Sequence, residues 1–589
     1  MMKSTQSKSA TWGRNVFIAL ALILSAGLAI AGPRKMSKDL ESKTSGNVDV
    51  IVQYNQAPTA YHHEKVLSRG GKIKQDLGQF KGGAYTMPAS ELADLASDPE
   101  VVYISPDRPL RDASTIPAAL NDYHTGTINA NYVWNAGITG AGIGVAVIDS
   151  GIASLPDITA SNIVYSQDFT GLGSTADVYG HGTHVTGILA GNGNQSTGSA
   201  YSYTFRGIAD GVKIINLRVL DANGAGTDSE VIAAIQKAIA LKSTYNIRVI
   251  NLSLGRPVWE SYTVDPLCQA VEQAWKAGIV VVVAAGNYGR DDLADTTGYG
   301  VITAPGNDPY VITVGAINTH GTSNRTIGVP TSYSSKGPSL IDNIAKPDLV
   351  APGNLVISLY FPGSTLSTKY PQYEVPKSLY VNGTQTAVSP TYFILSGTSM
   401  ATPMVSATAA LMLQQTPSLT PDQVKARLMA TAFKGLVQAS TAVDSITGQT
   451  FNEQADVFTV GAGLLDIQAA MQNTNLAPAT VGSALSPIAV KGTNSNVTLV
   501  VNGASVLGGN SILWGGSILW GGSILWGGSS GEVGESILWG GSIPLAGNSI
   551  LWGGTSGTAG ASILWGGGTT QGSSTLQSTT TGEVVNDLE

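Results

Sequence analysis

The sequence predicts a doubly wound α/β core with a mostly parallel sheet, preceded by a small α+β unit and followed by a β or low-complexity repeat tail. Three observations predict the core. The runs Gly144 to Ile148, Lys213 to Val219, Arg248 to Leu252 and Ile279 to Ala284 are largely apolar on both faces, as strands of a buried parallel sheet are. Helical patterns separate them at His181 to Ala190, Asp228 to Leu241 and Pro266 to Ala277. Polar residues follow several of the apolar runs, at the strand ends where ligands and catalytic groups gather in open α/β sheets.

Taken in order, the chain opens with a secretory pattern. Lys3, Lys8 and Arg14 precede the uninterrupted small and apolar run Val16 to Leu28, and Ala29-Ile30-Ala31 supplies a cleavage pattern before Gly32. The run is shorter than the roughly 20 residues a spanning helix needs. A signal peptide over 1–31 is expected, with the product secreted or cell-surface-associated and no membrane span once the signal is removed.

Residues 47–108 alternate strand and helix patterns: Val48 to Tyr54, Tyr61 to Gly70, Gly83 to Met87, Ser90 to Ser97 with Ser90 as its cap, and Val101 to Ile104. This is the small α+β unit. The core occupies 123–473, and a short β segment, with Asn496 to Val501 its clearest strand, spans 476–505. Ser-Ile-Leu-Trp-Gly-Gly then occurs six times within 511–567, beginning at Ser511, Ser517, Ser523, Ser536, Ser549 and Ser562. One strand per copy with Gly-Gly turns, a poorly ordered tail, or a ligand module using the tryptophans all suit it. Residues 568–589 are rich in Ser, Thr and Gly and read as flexible.

Composition narrows the function. Of 589 residues only 12% are charged, 71 are glycine and the net charge is −8, so neither net charge nor a basic tract favours a nucleic-acid partner. The single cysteine, Cys268, excludes an intrachain disulfide. It lies in an apolar helical stretch and reads as a buried structural thiol.

Four residues carry chemistry. Asp149 ends the run Gly-Val-Ala-Val-Ile; alone, Asp-Ser-Gly is a turn after a strand. His181 lies in Gly-His-Gly-Thr-His-Val-Thr-Gly, where the flanking glycines let backbone pack close to the ring. His184 follows three residues later without the His-Glu-x-x-His pattern of a zinc helix, and reads as a packed, hydrogen-bonded partner. Ser399 precedes an apolar helical run to Gln415, at a helix N-terminus that favours negative charge; alone it is an N-cap. Asn287 ends Val-Ala-Ala-Gly-Asn, with an amide suited to an oxyanion or to an Asx turn.

Together the strings Ala-Val-Ile-Asp-Ser-Gly at 146–151, Gly-His-Gly-Thr-His-Val-Thr-Gly at 180–187, Ala-Ala-Gly-Asn at 284–287 and Gly-Thr-Ser-Met-Ala-Thr-Pro at 397–403 resemble the subtilisin-like serine proteases. The resemblance implies that Asp149 orients His181, that His181 is general base and then general acid, that Ser399 is the nucleophile and that Asn287 lines the oxyanion hole. It implies polypeptide substrates, with Ser253, Leu254 and Gly255 pairing with them and walling the S1 pocket opposite Ala284, Ala285 and Gly286. Arg256 departs from the glycine common in the family at that place. Residues 48–108 resemble the family's inhibitory propeptide, an intramolecular partner removed at a site between about Pro109 and His124. No cofactor is implied for the chemistry. Structural calcium is usual in the family, and Asn192 and Asn194 are the weak candidates for holding it. A non-enzymatic surface or adhesion protein on the same scaffold is the alternative, and it is disfavoured because all four chemical residues are present.

Overall fold

The computed structural model describes residues 35–37, 40, 43–107, 109–111, 122–159, 161–290, 298–443, 449–491, 497–501 and short strands between 504 and 565. The expected signal, most of the segment expected to hold the processing site and the terminal tail lie outside the described residues.

The N-terminal unit comprises β1 (Asn47–Tyr54), α1 (Ala60–Leu67), β2 (Lys72–Leu77), β3 (Gly82–Pro88), α2 (Leu92–Ala96) and β4 (Val101–Pro106). Its antiparallel sheet runs β2-β3-β1-β4. Val66 from α1 and Leu92 and Leu95 from α2 pack with Val50, Val52, Tyr85, Met87 and Ile104 as a separate core. The strand β2 has no counterpart in the sequence reading. Its residues Lys-Ile-Lys-Gln-Asp-Leu are mostly exposed, as on a charged edge strand that discourages further pairing. Ser90 does not cap α2. It lies in a 3₁₀ turn, Ala89–Glu91, and its hydroxyl faces Glu91 Oε1 at 3.4 Å. A further strand, β5 (Pro109–Arg111), leaves this unit to join the larger domain.

The larger domain contains β6 (Gly144–Asp149), β7 (Ile163–Asp168), α3 (His181–Ala190), β8 (Lys213–Arg218), β9 (Ala225–Thr227), α4 (Asp228–Tyr245), β10 (Ile247–Leu252), α5 (Pro266–Lys276), β11 (Val280–Ala284), β12 (Ile312–Asn318), β13 (Val329–Pro330), β14 (Leu349–Pro352), α6 (Thr398–Gln415) and α7 (Pro421–Thr431). Its sheet follows the order β7-β8-β6-β10-β11-β12-β14, every neighbouring pair parallel, with β13 antiparallel on β12. All six residues of β6 are buried, which explains its unbroken apolar sequence. Strand order reverses at β6, flanked by β8 and β10, and this opens a crevice at the C-terminal strand ends.

Local sequence sets the helices. Thr227 and Glu230 form a capping box on α4, and Asp265 accepts from Leu267 N and Cys268 N at the start of α5, where Pro266 needs no partner. The helix α6 is buried on nearly all sides and packs on β10, β11 and β12, so it has no polar face.

Residues beyond 476 continue onto the core. Ser486 N donates to Pro309 O, and Ser486 Oγ donates to Asp348 Oδ1 (2.6 Å) and accepts from Lys425 Nζ (2.8 Å). Lys425 Nζ also donates to Pro309 O and Val311 O, while Lys346 Nζ meets Asp348 Oδ2 at 2.7 Å. These groups are buried. Desolvation pulls the Lys425 ammonium down to about 7 and lowers Lys346 as well. Farther on, the repeat strands Ser523–Trp526, Ser536–Trp539, Ser549–Trp552 and Ser562–Trp565 pair parallel and in register, serine to serine. The strands Ile512–Trp514 and Ser517–Trp520 pair antiparallel.

Two stability outcomes follow from the buried cluster. Lys425 binds its proton less readily folded than unfolded, so between about 7 and the ordinary 10.5 the unfolded chain holds more protons and stability rises with pH. The urea midpoint should therefore be higher at about pH 9.5 than at about pH 7, with a smaller rise in Lys425→Met. Ser486→Ala leaves a buried carboxylate and ammonium each one bond short, and should cost about 1–3 kcal/mol in the same titration.

Candidate active site

Asp149, the last residue of β6, accepts from His181 Nδ1 at 2.8 Å and from Ser150 N at 2.7 Å on the same oxygen. Both carboxylate and imidazole are buried. His181 opens α3, and the approach needs glycine beside it, because a Cβ on Gly182 would run into the Gly151 carbonyl. Gly180, at φ +109°, makes the turn into the helix. Asp177 anchors this turn by accepting from Gly180 N, Thr183 N and Ser150 Oγ, while Ser150 Oγ accepts from Gly182 N. Desolvation raises the Asp177 carboxyl above its ordinary value. The sequence reading missed Asp177, which stands alone in a polar loop.

His184 faces the opposite way. Its Nε2 lies 3.1 Å from Phe393 O, and burial lowers the ring to about 3, so it stays neutral in the core. Cys268 is likewise enclosed. Its thiol faces Asn307 Oδ1 at 3.3 Å, and desolvation pushes it well above its ordinary value.

Ser399 stands in the first turn of α6, which packs against α3 and so brings the serine to the domain face that carries His181. Its Oγ donates to Ser253 O (3.1 Å), and Ser253 Oγ donates to Ser399 O (2.9 Å). Asn287 follows β11 by three residues. Its Oδ1 accepts from Thr398 N (3.0 Å) and Thr398 Oγ1 (2.9 Å), which commits the oxygen end of the amide to Thr398. Thr398 Oγ1 also accepts from Gly286 N. This second role of Thr398 was not legible in the motif.

A pocket opens beside Ser399, lined by Leu254, Gly255, Ala284, Gly286, Tyr288, Thr303 and Thr398. Gly255 and Gly286 form walls of bare backbone; a Cβ on either would come within 2.5 Å of Thr303. No charged side chain lines it. Of the six residues expected to form it, Ser253 touches Ser399 instead, and Ala285 backs the wall by bonding to Val314 O and Thr303 N. Arg256 does not reach the rim. Its guanidinium turns inward to Asp228 and Asp265.

On the other side of the crevice lies β9, also absent from the sequence reading because Asn-Gly-Ala-Gly-Thr has the composition of a turn. The strand β5 pairs with it antiparallel, Pro109 opposite Thr227 and Arg111 opposite Ala225. Asp107 accepts from Ser229 N (2.8 Å) and Ser229 Oγ (2.6 Å) at the start of α4, and Ser37 Oγ donates to Glu260 Oε2. Thus the N-terminal unit reaches the N-terminal end of α4, while Ile51, Leu77, Phe80 and Ala84 of the unit join the larger domain's core.

Asn192 and Asn194 follow α3. Asn192 Oδ1 accepts from Asn194 N, both amide nitrogens face Pro156 O at 3.4 Å, and neighbouring Asp157 is engaged by Gln195 N and Tyr392 OH. The loop is closed by its own hydrogen bonds. Among the described residues no group of three His, Cys, Asp or Glu converges as a metal site, and no helix is long and apolar enough to cross a membrane.

A buried carboxylate–imidazole pair, a serine at a helix N-terminus and an adjoining oxygen-anchored amide, set at the C-terminal edge of a parallel sheet, define a serine endopeptidase. Residues 140–463 match the model of the Subtilase family, and the chain belongs to that family. It is 38% identical over 314 residues to the serine protease AprX of Bacillus subtilis, covering 52% of this chain and 65% of that protein. It is 30% identical to subtilisin E of the same species, covering 78% of this chain and 98% of the relative. The crystal structure of fervidolysin from Fervidobacterium pennivorans, a keratinolytic enzyme related to subtilisin, shares the fold with a TM-score of 0.54 at 22% identity, over 77% of this chain and 64% of that one.

The enclosure of Cys268 has a direct readout. A chromogenic disulfide reagent should leave the native protein unlabelled and modify the thiol only after denaturation.

Proposed function

We propose that Asp149, His181 and Ser399 form the catalytic triad of a secreted peptidase made as a zymogen. The observation that carries this reading is the 2.8 Å contact of His181 Nδ1 with buried Asp149, which presents Nε2 as the nitrogen for proton transfer. Ser399 Oγ attacks the scissile carbonyl as His181 Nε2 takes its proton. The tetrahedral oxyanion is held by Ser399 N–H and by Asn287 Nδ2, whose amide is oriented by Thr398. Collapse of the intermediate transfers the proton to the leaving amine and leaves an acyl-enzyme. A water molecule deprotonated by His181 then releases the acid. Catalysis in subtilases needs no cofactor.

The uncharged, glycine-walled pocket suits a large apolar P1 side chain. Ser253–Gly255 on one side and Ala225–Thr227 on the other would clasp an extended substrate by strand addition. The N-terminal unit acts as the propeptide. Its last strand already lies on β9 in this manner, which supports self-processing shortly after Arg111. The Val16 to Leu28 run supports secretion. The loop around Asn192 and Asn194 lends calcium no support, since Asn192 Oδ1 accepts from Asn194 N and both amide nitrogens face Pro156 O. The in-register strands favour the repeat as a small β stack.

Intact mass and casein hydrolysis, wild type beside Ser399→Ala, test the reading. Wild type should lose its N-terminal segments and digest casein, while the variant should stay unprocessed with turnover lower by about 10⁶-fold. Asn287→Ala should lower kcat by about 10²–10³-fold, the size such a donor carries in subtilisin rather than one derived from this geometry. Thr398→Val, which frees the amide without removing it, should give a smaller kcat loss with KM little changed.

A further inference from the structure

Arg256 is the one place where the substrate-binding strand departs from the family resemblance, and the structure gives its side chain an unusual position. The residue is 1% exposed. Its Nε donates to Asp228 Oδ1 (2.9 Å) and Oδ2 (3.0 Å), one terminal nitrogen meets Asp228 Oδ2 (2.9 Å) and Asp265 Oδ2 (2.8 Å), and the other donates to Pro257 O (3.2 Å). Both carboxylates are fully buried. A planar fork that satisfies two carboxylates at once fixes their relative position, which a flexible ammonium cannot do.

What the fork joins gives it a function. Asp228 directly follows Thr227, the last residue of β9, and Arg256 directly follows Gly255, the last pocket residue of the opposite edge. The ion pair therefore ties the two edges together one residue beyond each. The Arg256 backbone also bridges Ala304, exchanging N–H···O bonds of 3.0 and 2.8 Å, and so anchors the Gly255 side to Thr303 of the pocket. The strand β5 shows that β9 accepts an extended peptide. A peptide that pairs with both edges needs them about two strand spacings apart, on the order of 10 Å.

We propose that Arg256 is a positioning residue for extended substrates: its bidentate pair with Asp228, steadied by Asp265, is a buried strut that sets the width of the cleft over P2 to P4. The inference rests on the proposed placement of substrate between Ser253–Gly255 and Ala225–Thr227. A strut of this kind acts on residues that pair with both edges. It leaves the acylation chemistry at Ser399 alone.

The test compares two anilides ending in the same phenylalanine, one carrying that residue alone and one carrying four residues. Arg256→Lys keeps the charge but cannot engage both carboxylates with a fork. It should raise KM for the four-residue anilide about tenfold, with kcat within about twofold and the one-residue anilide unaffected. Arg256→Met with Asp228→Asn removes the strut with Asp228 uncharged and Asp265 still held by Leu267 N and Cys268 N, and should give the same length-dependent loss. Equal losses on both anilides would mean general damage and overturn the strut, as would wild-type KM on the longer anilide in both variants. Wild-type cleavage of the one-residue anilide, abolished in Ser399→Ala, checks the active site separately. A wild type inert on both anilides overturns that site, and the strut with it.

Discussion

Parallel pairing of β6 with β8 on one side and β10 on the other leaves Asp149 at the end of the strand where the sheet changes direction. This register governs everything built above it. Side chains alternate along a strand, so a slip of one residue would send Asp149 to the opposite face and leave His181 without its partner. The entry into α3 is fitted to the same point, since Gly182 has room only for hydrogen against the Gly151 carbonyl. Desolvation then strengthens the contact. With carboxylate and imidazole both enclosed, the hydrogen bond operates in a low dielectric and holds one ring orientation.

Much of this was legible because the buried parallel strands are apolar on both faces, and that texture survives in the sequence. Gly144–Asp149 and Val280–Ala284 were found within a residue or so of their ends. Asp149, His181, Asn287 and Ser399 stood out because each interrupts or follows such a run within a distinctive string. Other features were hidden for physical reasons. The strand β2 is a charged edge and has no apolar alternation. The strand β9 is defined by its pairing with β5 and consists of small residues. Asp177 and Thr398 work through backbone N–H groups and a neighbouring amide, which only tertiary structure brings to them. Ser90 has the right type for a cap, yet a 3₁₀ turn takes the place where a cap would act.

The N-terminal unit and the core meet through apolar surface, where Ile51, Leu77, Phe80 and Ala84 join the larger domain's core, and through a helix end. Asp107 takes up the amide and hydroxyl of Ser229, where α4 leaves N–H groups without partners inside the helix. Asp265 does the same for α5 from within the domain, and Arg256 balances that carboxylate together with Asp228. Negative charge thus gathers at two positive helix ends, with one guanidinium between them. The surface receiving the N-terminal unit and the cleft receiving a peptide share these groups.

The cluster of Lys346, Asp348, Lys425 and Ser486 has a consequence for the working life of the enzyme. An unfolded copy of a peptidase is food for the folded ones, so its persistence in a concentrated solution depends on how rarely it opens. Without a disulfide to hold the chain ends, the Ser486 hydroxyl fastens the segment after 476 to Pro309 O and to Asp348, just before β14, and Lys425 of α7 joins Ser486 to the carbonyls of Pro309 and Val311. Opening at that end would have to strip these buried polar groups of their partners before water could replace them. The chain is therefore closed against its own activity by a polar cluster hidden from solvent.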